Sequence, residues 1–423
     1  MGDDDFRKYF WAEASSRFGT VLTLTATSTI AVEHLHATDA QIGMLSAAGY
    51  LPAAVLGPFV GRAADRARRP RGFLRRCDLL AGACLALTCL VTALGTLSMR
   101  WLTCLAVLLG CVSVAAETLY FVHLQVLVPA ERLTRARARL QGGEYAAALA
   151  GNGLAGIVVV AFGGALAFGG ALAFGIDAVT YGLSAVLLSR IRRADRPVQE
   201  CARHTGRTEQ PRQRPFVPGS FLRRLLPLLM LQAIASAAGT ALLAPFLLRD
   251  LDVPVGLYGV AFLATGAAGM AGSWAAPRVT ARGTPRHWFL AAAGVQVLAA
   301  AGLAGAGGAF PLALAVAGGC LAMSKAAGAV ANVTLSTLIV ADSAPESLGR
   351  VVALLRSAVT ACQVGGALAA GLLAGAVGTR TALWCAALLP VLATPWLAAG
   401  LRRDRHGPRP RTAPDHAPRR TTS

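Results

Sequence analysis

Long apolar runs, broken by clusters of arginine, proline and glycine, dominate the 423-residue chain. A helix that crosses a bilayer needs about 20 mostly apolar residues, because lipid offers its backbone no hydrogen-bond partners. Twelve such runs are read here, at 10–32, 40–61, 77–98, 101–127, 141–162, 164–189, 224–248, 255–277, 287–307, 311–340, 351–376 and 381–401. One water-soluble core could not bury them all: 55% of the residues are apolar and only 14% charged, against about 25% charged in a soluble domain. The expected fold is an all-α membrane protein with twelve transmembrane helices, solvated by lipid.

The net charge of +19 could point to nucleic acid, so its placement decides its meaning. Of 40 Lys and Arg residues, Arg17, Lys325 and Arg356 lie within spans. Arg100, Arg249 and Arg380 lie in the loops of one side, and the remaining 34 fall on the other. Cytoplasmic loops carry the excess of basic residues. Both termini are therefore expected in the cytoplasm, in the inner (cytoplasmic) membrane of the cell, and no nucleic-acid partner is expected. The opening MGDDDFRKYF has no basic n-region or cleavage site, so no removed signal peptide is expected. Nine cysteines form no CxxC pair and eight sit in apolar stretches, which suits inert small hydrophobes; neither a metal nor a cofactor is expected.

Residues 191–222, rich in Arg, Gln and Pro, divide the chain. They are too polar to insert and too poor in apolar residues to fold alone. The expected units are a six-helix half over 1–190, this basic cytosolic linker, a second six-helix half over 223–401, and a disordered basic tail over 402–423. The halves repeat with an offset near 215 residues. Gly57 returns as Gly272, and Gly151-Asn-Gly-Leu-Ala-Gly156 returns as Gly366-Ala-Leu-Ala-Ala-Gly371. Two parallel six-helix repeats are one architecture of transporters.

Inside a membrane, polar stripes mark helix faces turned to a wet cavity or a protein interior. Span one shows Glu13, Ser16, Arg17 and Thr20 at helical spacing, and span four shows Ser113, Glu117 and Tyr120. Span seven shows Gln232 and Ser236, and span ten Lys325, Asn332 and Ser336. These are the first helices of four successive three-helix units, as expected if they enclose one pathway. Ser and Thr here fit interhelical hydrogen bonds equally well. A charge near the bilayer centre costs at least about 2.5–3.5 kcal/mol, which favours function for Glu117 and Lys325.

Glu117 and Arg17 are each expected about 5 Å to the cytoplasmic side of the midplane, on adjacent helices. Glu117 is the first candidate for a coupling proton, with Arg17 as its modulator and Glu13 as a rival i,i+4 partner for Arg17. Asp177 is a further candidate, although a packing hydrogen bond suits its place in span six. Glu144 and Arg356 lie within two turns of the cytoplasmic ends of their spans, where snorkelling or local pairing would satisfy them, and they are kept as gating suspects only.

Gly61-Arg-Ala-Ala-Asp65-Arg66-Ala-Arg-Arg69, after span two, resembles the G-x-x-x-D-R-x-x-R signature of the major facilitator superfamily. The resemblance implies two pseudo-symmetric six-helix halves. It also implies a cytoplasmic gate in which Gly61 allows close packing, Asp65 is a latch, and Arg66 and Arg69 are its partners. The second half has no aspartate at the equivalent Gly272–Arg278, so the latch is expected on one side only. Gly151, Asn152 and Gly156 partly match the antiporter motif G-P-x-x-G-G, with Asn152 in place of proline. Phe6–Thr20, Leu127–Leu133, Phe174–Ala178 and Leu257–Gly259 are similar to the branch of enterobactin exporters and macrolide efflux pumps. Many of its members carry Asp where this chain has Thr20, and Glu117 is the available substitute.

No P-loop, HExxH site or GxSxG elbow is present, so neither an ATP-driven pump nor an enzyme is expected. The expectation is a monomeric, proton-coupled exporter of a small amphiphilic molecule such as a drug, siderophore or secondary metabolite. The alternatives are an importer of a small nutrient and a non-transporting membrane sensor.

Overall fold

A computed structural model describes residues 2–65, 70–127, 130–161, 166–191, 220–280, 283–342 and 348–393. Its twelve α-helices are α1 (Gly2–Thr29), α2 (Asp39–Asp65), α3 (Pro70–Ala93), α4 (Met99–Leu127), α5 (Ala130–Ala161) and α6 (Leu166–Ser189). The second half holds α7 (Ser220–Pro245), α8 (Val255–Thr280), α9 (Pro285–Ala304), α10 (Phe310–Asp342), α11 (Leu348–Val377) and α12 (Thr379–Leu388). Among the described residues, eight of these helices are long and apolar enough to cross a membrane by composition alone. α1 is not one of them, because its inner face carries Glu13, Arg17 and a row of hydroxyls. α12 is short and tightens into a 3-10 turn, Leu389–Ala393.

Helix contacts obey one exchange rule. α2 packs on α4, α3 on α6 and α1 on α5; in the second half α8 packs on α10, α9 on α12 and α7 on α11. Raising every index by six turns one set into the other, which defines the pseudo-twofold relation of the halves. The same exchange carries the α2–α11 contact between halves into the α5–α8 contact.

The ends of α1 and α7 repeat in detail. Each widens into one π turn, Ile30–His34 and Phe246–Asp250. Leu35 N donates to Ile30 O at 2.9 Å, and Leu251 N to Phe246 O at 3.1 Å. Each turn is followed by a non-glycine residue at φ 47°, His36 and Asp252. This region is sparsely populated for such residues, so its recurrence marks a shared chain reversal rather than a local accident.

At this end of the bundle, one apolar core spans both halves. It includes Ile30, Val32 and Ile42 of the first half and Leu242, Phe246 and Ala370 of the second. Toward the other end the cores are separate: Tyr9, Leu74, Leu119 and Leu188 in one half, Leu225, Phe289, Leu338 and Leu355 in the other. α2 and α11 come close at Gly43 and Gly371, where a Cβ on either residue would lie 2.8 Å from the other's Cα. No side chain fits there, so the backbones themselves make the contact.

Candidate functional site

Glu13, Arg17 and Thr20 share one face of α1 by their spacing of four and three residues, and Ser113, Glu117 and Tyr120 share one face of α4 in the same way. The two faces meet. With α3 and α6 they enclose a cavity of about 30 Å³, lined among others by Glu13, Arg17, Asp78, Glu117, Tyr120 and Tyr181. Thr20 and Ser113 also reach it, and its size suits one or two water molecules.

Beside this cavity is a charged cluster contributed by four helices. Arg17 Nη2 lies 3.3 Å from Glu117 Oε1, and Arg17 Nε lies 3.4 Å from Glu144 Oε1 of α5. Glu117 Oε2 accepts a 2.8 Å bond from Arg356 Nη2, which comes from α11 in the opposite half. One carboxylate thus joins a guanidinium of its own half to a guanidinium of the other. The Arg356 side chain is 74% exposed, whereas Arg17 and Glu117 are about a third exposed. Charge-assisted bonds of this kind are roughly twice as strong as neutral ones, and they weaken with access to water.

One sequence reading is corrected here. Arg17 does not pair with its i,i+4 neighbour Glu13; it reaches across to Glu117 and Glu144. One Glu13 oxygen is buried without a hydrogen-bond partner. Glu144 and Arg356, the gating suspects, both join the cluster. Their position in sequence, near span ends, concealed this, because only tertiary packing brings α5 and α11 alongside α1 and α4.

A second buried network went unnoticed in the sequence. Asp78, on α3, is 1% exposed and accepts from Ser184 Oγ at 2.6 Å; Ser184 in turn lies 3.3 Å from the Tyr120 hydroxyl. Tyr9 donates to the Tyr120 carbonyl at 2.8 Å, and the two rings meet edge to face. Tyr120 is therefore a buried structural junction whose ring borders the small cavity. A single acid inside Cys77-Asp-Leu-Leu80 was the signal that could have found Asp78.

Asp177 lies apart from the charged cluster. It accepts from Thr23 Oγ1 at 2.6 Å and from Thr180 Oγ1 at 3.1 Å, and so ties α6 to α1. Thr20 bonds to the Tyr181 hydroxyl at 3.1 Å. In α5, Gly151 lies against the Phe18 carbonyl of α1, and Asn152 accepts from Thr25 at 3.1 Å. Gly156 is in the same helix.

In the second half, Gln232 donates to Gln296 of α9 at 3.2 Å, and its own carbonyl oxygen is buried without a partner. Ser236, Lys325 and Asn332 are exposed, and none of the three meets the Glu117 cluster directly. Gly61 and Asp65 belong to the last turns of α2, while Arg66 and Arg69 lie outside the described residues. No cluster of three metal-ligating side chains occurs among the described residues.

A bundle of paired six-helix repeats with charged groups between the halves defines a membrane transporter. The family model described as Major Facilitator Superfamily matches residues 9–349, and the chain belongs to that superfamily. No curated protein matches the sequence. Among solved structures, it is similar to a bacterial homologue of the human lysosomal transporter Spinster, in an inward-facing and occupied conformation. That likeness has a TM-score of 0.73 at 17% identity, over 93% of this chain and 96% of the other. The nucleoside transporter NupG aligns with a TM-score of 0.69 at 14% identity, over 94% and 98% of the two chains. The xylose transporter XylE from E. coli, in a partially occluded inward-open conformation, aligns at 0.68 and 12%, over 94% and 97%.

Proposed function

We propose that the protein is a proton-coupled secondary exporter that moves a small amphiphilic molecule out of the cell by alternating access. The observation that carries this reading is the position of Glu117, with one oxygen on Arg17 of its own half and the other on Arg356 of the opposite half. Protonating that carboxylate removes both ion pairs together. A proton arriving from outside would release the halves from each other, and re-forming the pairs after reorientation would expel it to the cytoplasm. Proton binding and the relative position of the halves are thereby linked, which an antiporter requires.

Three further features support the reading. Gly151 and Asn152, which resemble an antiporter motif, sit where α5 packs on α1. The segments that resemble enterobactin exporters and macrolide efflux pumps run through both halves. Asp65, with Arg66 and Arg69, resembles the cytoplasmic latch of the superfamily. In this reading the protein works as a monomer in the cytoplasmic membrane, with both termini inside.

The test is flux in proteoliposomes under an imposed pH gradient. Glu117→Gln should abolish gradient-driven uphill export while leaving substrate exchange measurable. Wild-type accumulation by the Gln variant would sink the proposal.

A further inference from the structure

Lys325 lies at the centre of the apolar span Pro311–Ile339, about 21 Å of helix from either end. The exposed residues of α10 form one arc of about 200°, in which Pro311, Ala315, Gly319 and Thr337 lie between a polar edge and an apolar edge. At 100° per residue, Leu312, Val316 and Met323 cluster within about 20° of one direction, and Lys325, Asn332 and Ser336 cluster as tightly about 200° away. The first edge is apolar and suits lipid. The second is polar, and a charge at this depth suits a water-accessible space within the bundle rather than lipid.

No anion answers Lys325. Among the described residues it has neither a hydrogen bond nor an ion pair. The second half contains only four acids, Asp250, Asp252, Asp342 and Glu346, and none is near mid-span. Asp342 is about 25 Å further along α10. In the first half, both oxygens of Glu117 are committed to Arg17 and Arg356, and Glu144 is committed to Arg17. Asp78 and Asp177 are buried against hydroxyls.

We infer that Lys325 is the head-group site for an organic anion, whose carboxylate, sulfonate or phosphate meets the ammonium. The inference rests on the transport reading and narrows its substrate class to organic anions. Asn332 and Ser336, on the same face, supply the adjoining hydrogen-bonding surface.

The experiment measures binding of three probes with a common ring by the purified full chain in phosphatidylcholine nanodiscs: 2-naphthoate, 2-naphthylmethanol and 2-naphthylmethyl-trimethylammonium. Wild type should bind the anion about tenfold or more tightly than the other two. Lys325→Met, which keeps the length without the charge, should erase the preference, and Lys325→Arg should retain it. Thermal melts of each variant verify folding. Absent or charge-blind binding by wild type, or an anion preference that survives in Lys325→Met, overturns the inference.

Repeating the measurement with phosphatidylglycerol in the disc separates two sources of the anion. Lys325-dependent competition identifies a lipid head group as occupant, and its absence leaves a soluble organic anion. Flux of 2-naphthoate under a pH gradient keeps the two readings apart. Anion binding without proton-driven flux defeats the exporter alone, and driven flux without charge preference defeats the Lys325 site alone.

Discussion

Arg249 Nη2 lies 2.7 Å from the carbonyl oxygen of Ala37, so the π turn of the second half is tied to the chain reversal of the first. The same nitrogen lies 3.3 Å from the Val32 carbonyl, and Nη1 lies 3.4 Å from Asp39 Oδ1. A helix end offers unsatisfied carbonyls, and a guanidinium is the side chain best shaped to collect several of them.

Arg249→Ala should therefore loosen this end of the bundle. A loss of about 1–2 kcal/mol is expected, discounted for the partly exposed position. In a cysteine-free background, Ala47→Cys, buried between the halves beside Ala237 and Ala367, should react several-fold faster with an impermeant maleimide once Arg249 is removed. Equal labelling rates would reject the tie.

Glu117→Gln and Arg356→Gln break the same contact between halves and should give the same widening between spin labels on α4 and α11. The double variant should add nothing to either. Additive widening would mean that the pair does not hold the halves together.

Gly371→Leu places a side chain where even a Cβ meets the Asp39 carbonyl at 2.6 Å. Overpacking of this kind costs about 1–3 kcal/mol. The detergent-solubilised protein should melt several degrees lower, and the same substitution at Gly375, which has open space, should be mild. Indistinguishable melting of the two variants would contradict the close approach.

Asp177→Ala leaves the Thr23 hydroxyl buried without its acceptor, at a cost of about 1–3 kcal/mol. Lower thermal stability with unchanged flux per folded molecule is expected. The reverse pattern, full stability with lost pH-driven transport, would assign Asp177 to coupling.

Asp65→Asn should leave expression intact, reduce transport and raise labelling from the cytoplasmic side. Unaltered labelling together with full transport would remove Asp65 from the gate.

Much of the fold was legible because lipid imposes a length on every helix and charge fixes the loops, so the spans and the repeat are written directly into the chain. The stripes on spans one and four were legible for the same reason: Arg17 and Glu117 are charges in apolar runs. Arg356 and Glu144 were legible only as suspects, since a charge near a span end has an inexpensive local explanation and only packing shows its partner. Asp78 was missed because it sits at the entry of its span, where an acid is unremarkable until Ser184 and Tyr120 close over it. The absence of a Glu13–Arg17 pair has a similar origin: two i,i+4 side chains can touch, but Arg17 finds two carboxylates across the helix boundary.

The meeting of Gly43 with Gly371 has a mechanical consequence. Interlocked side chains resist rotation, because knobs must leave their holes before two helices can turn. Two bare backbones have no knobs to withdraw. At this point α2 and α11 can roll on each other while their far ends swing through a larger arc, so the contact serves as a fulcrum rather than a clamp. A lever pivoted so near one end converts a small tilt at the glycines into a wide displacement at the other, where Arg356 holds Glu117.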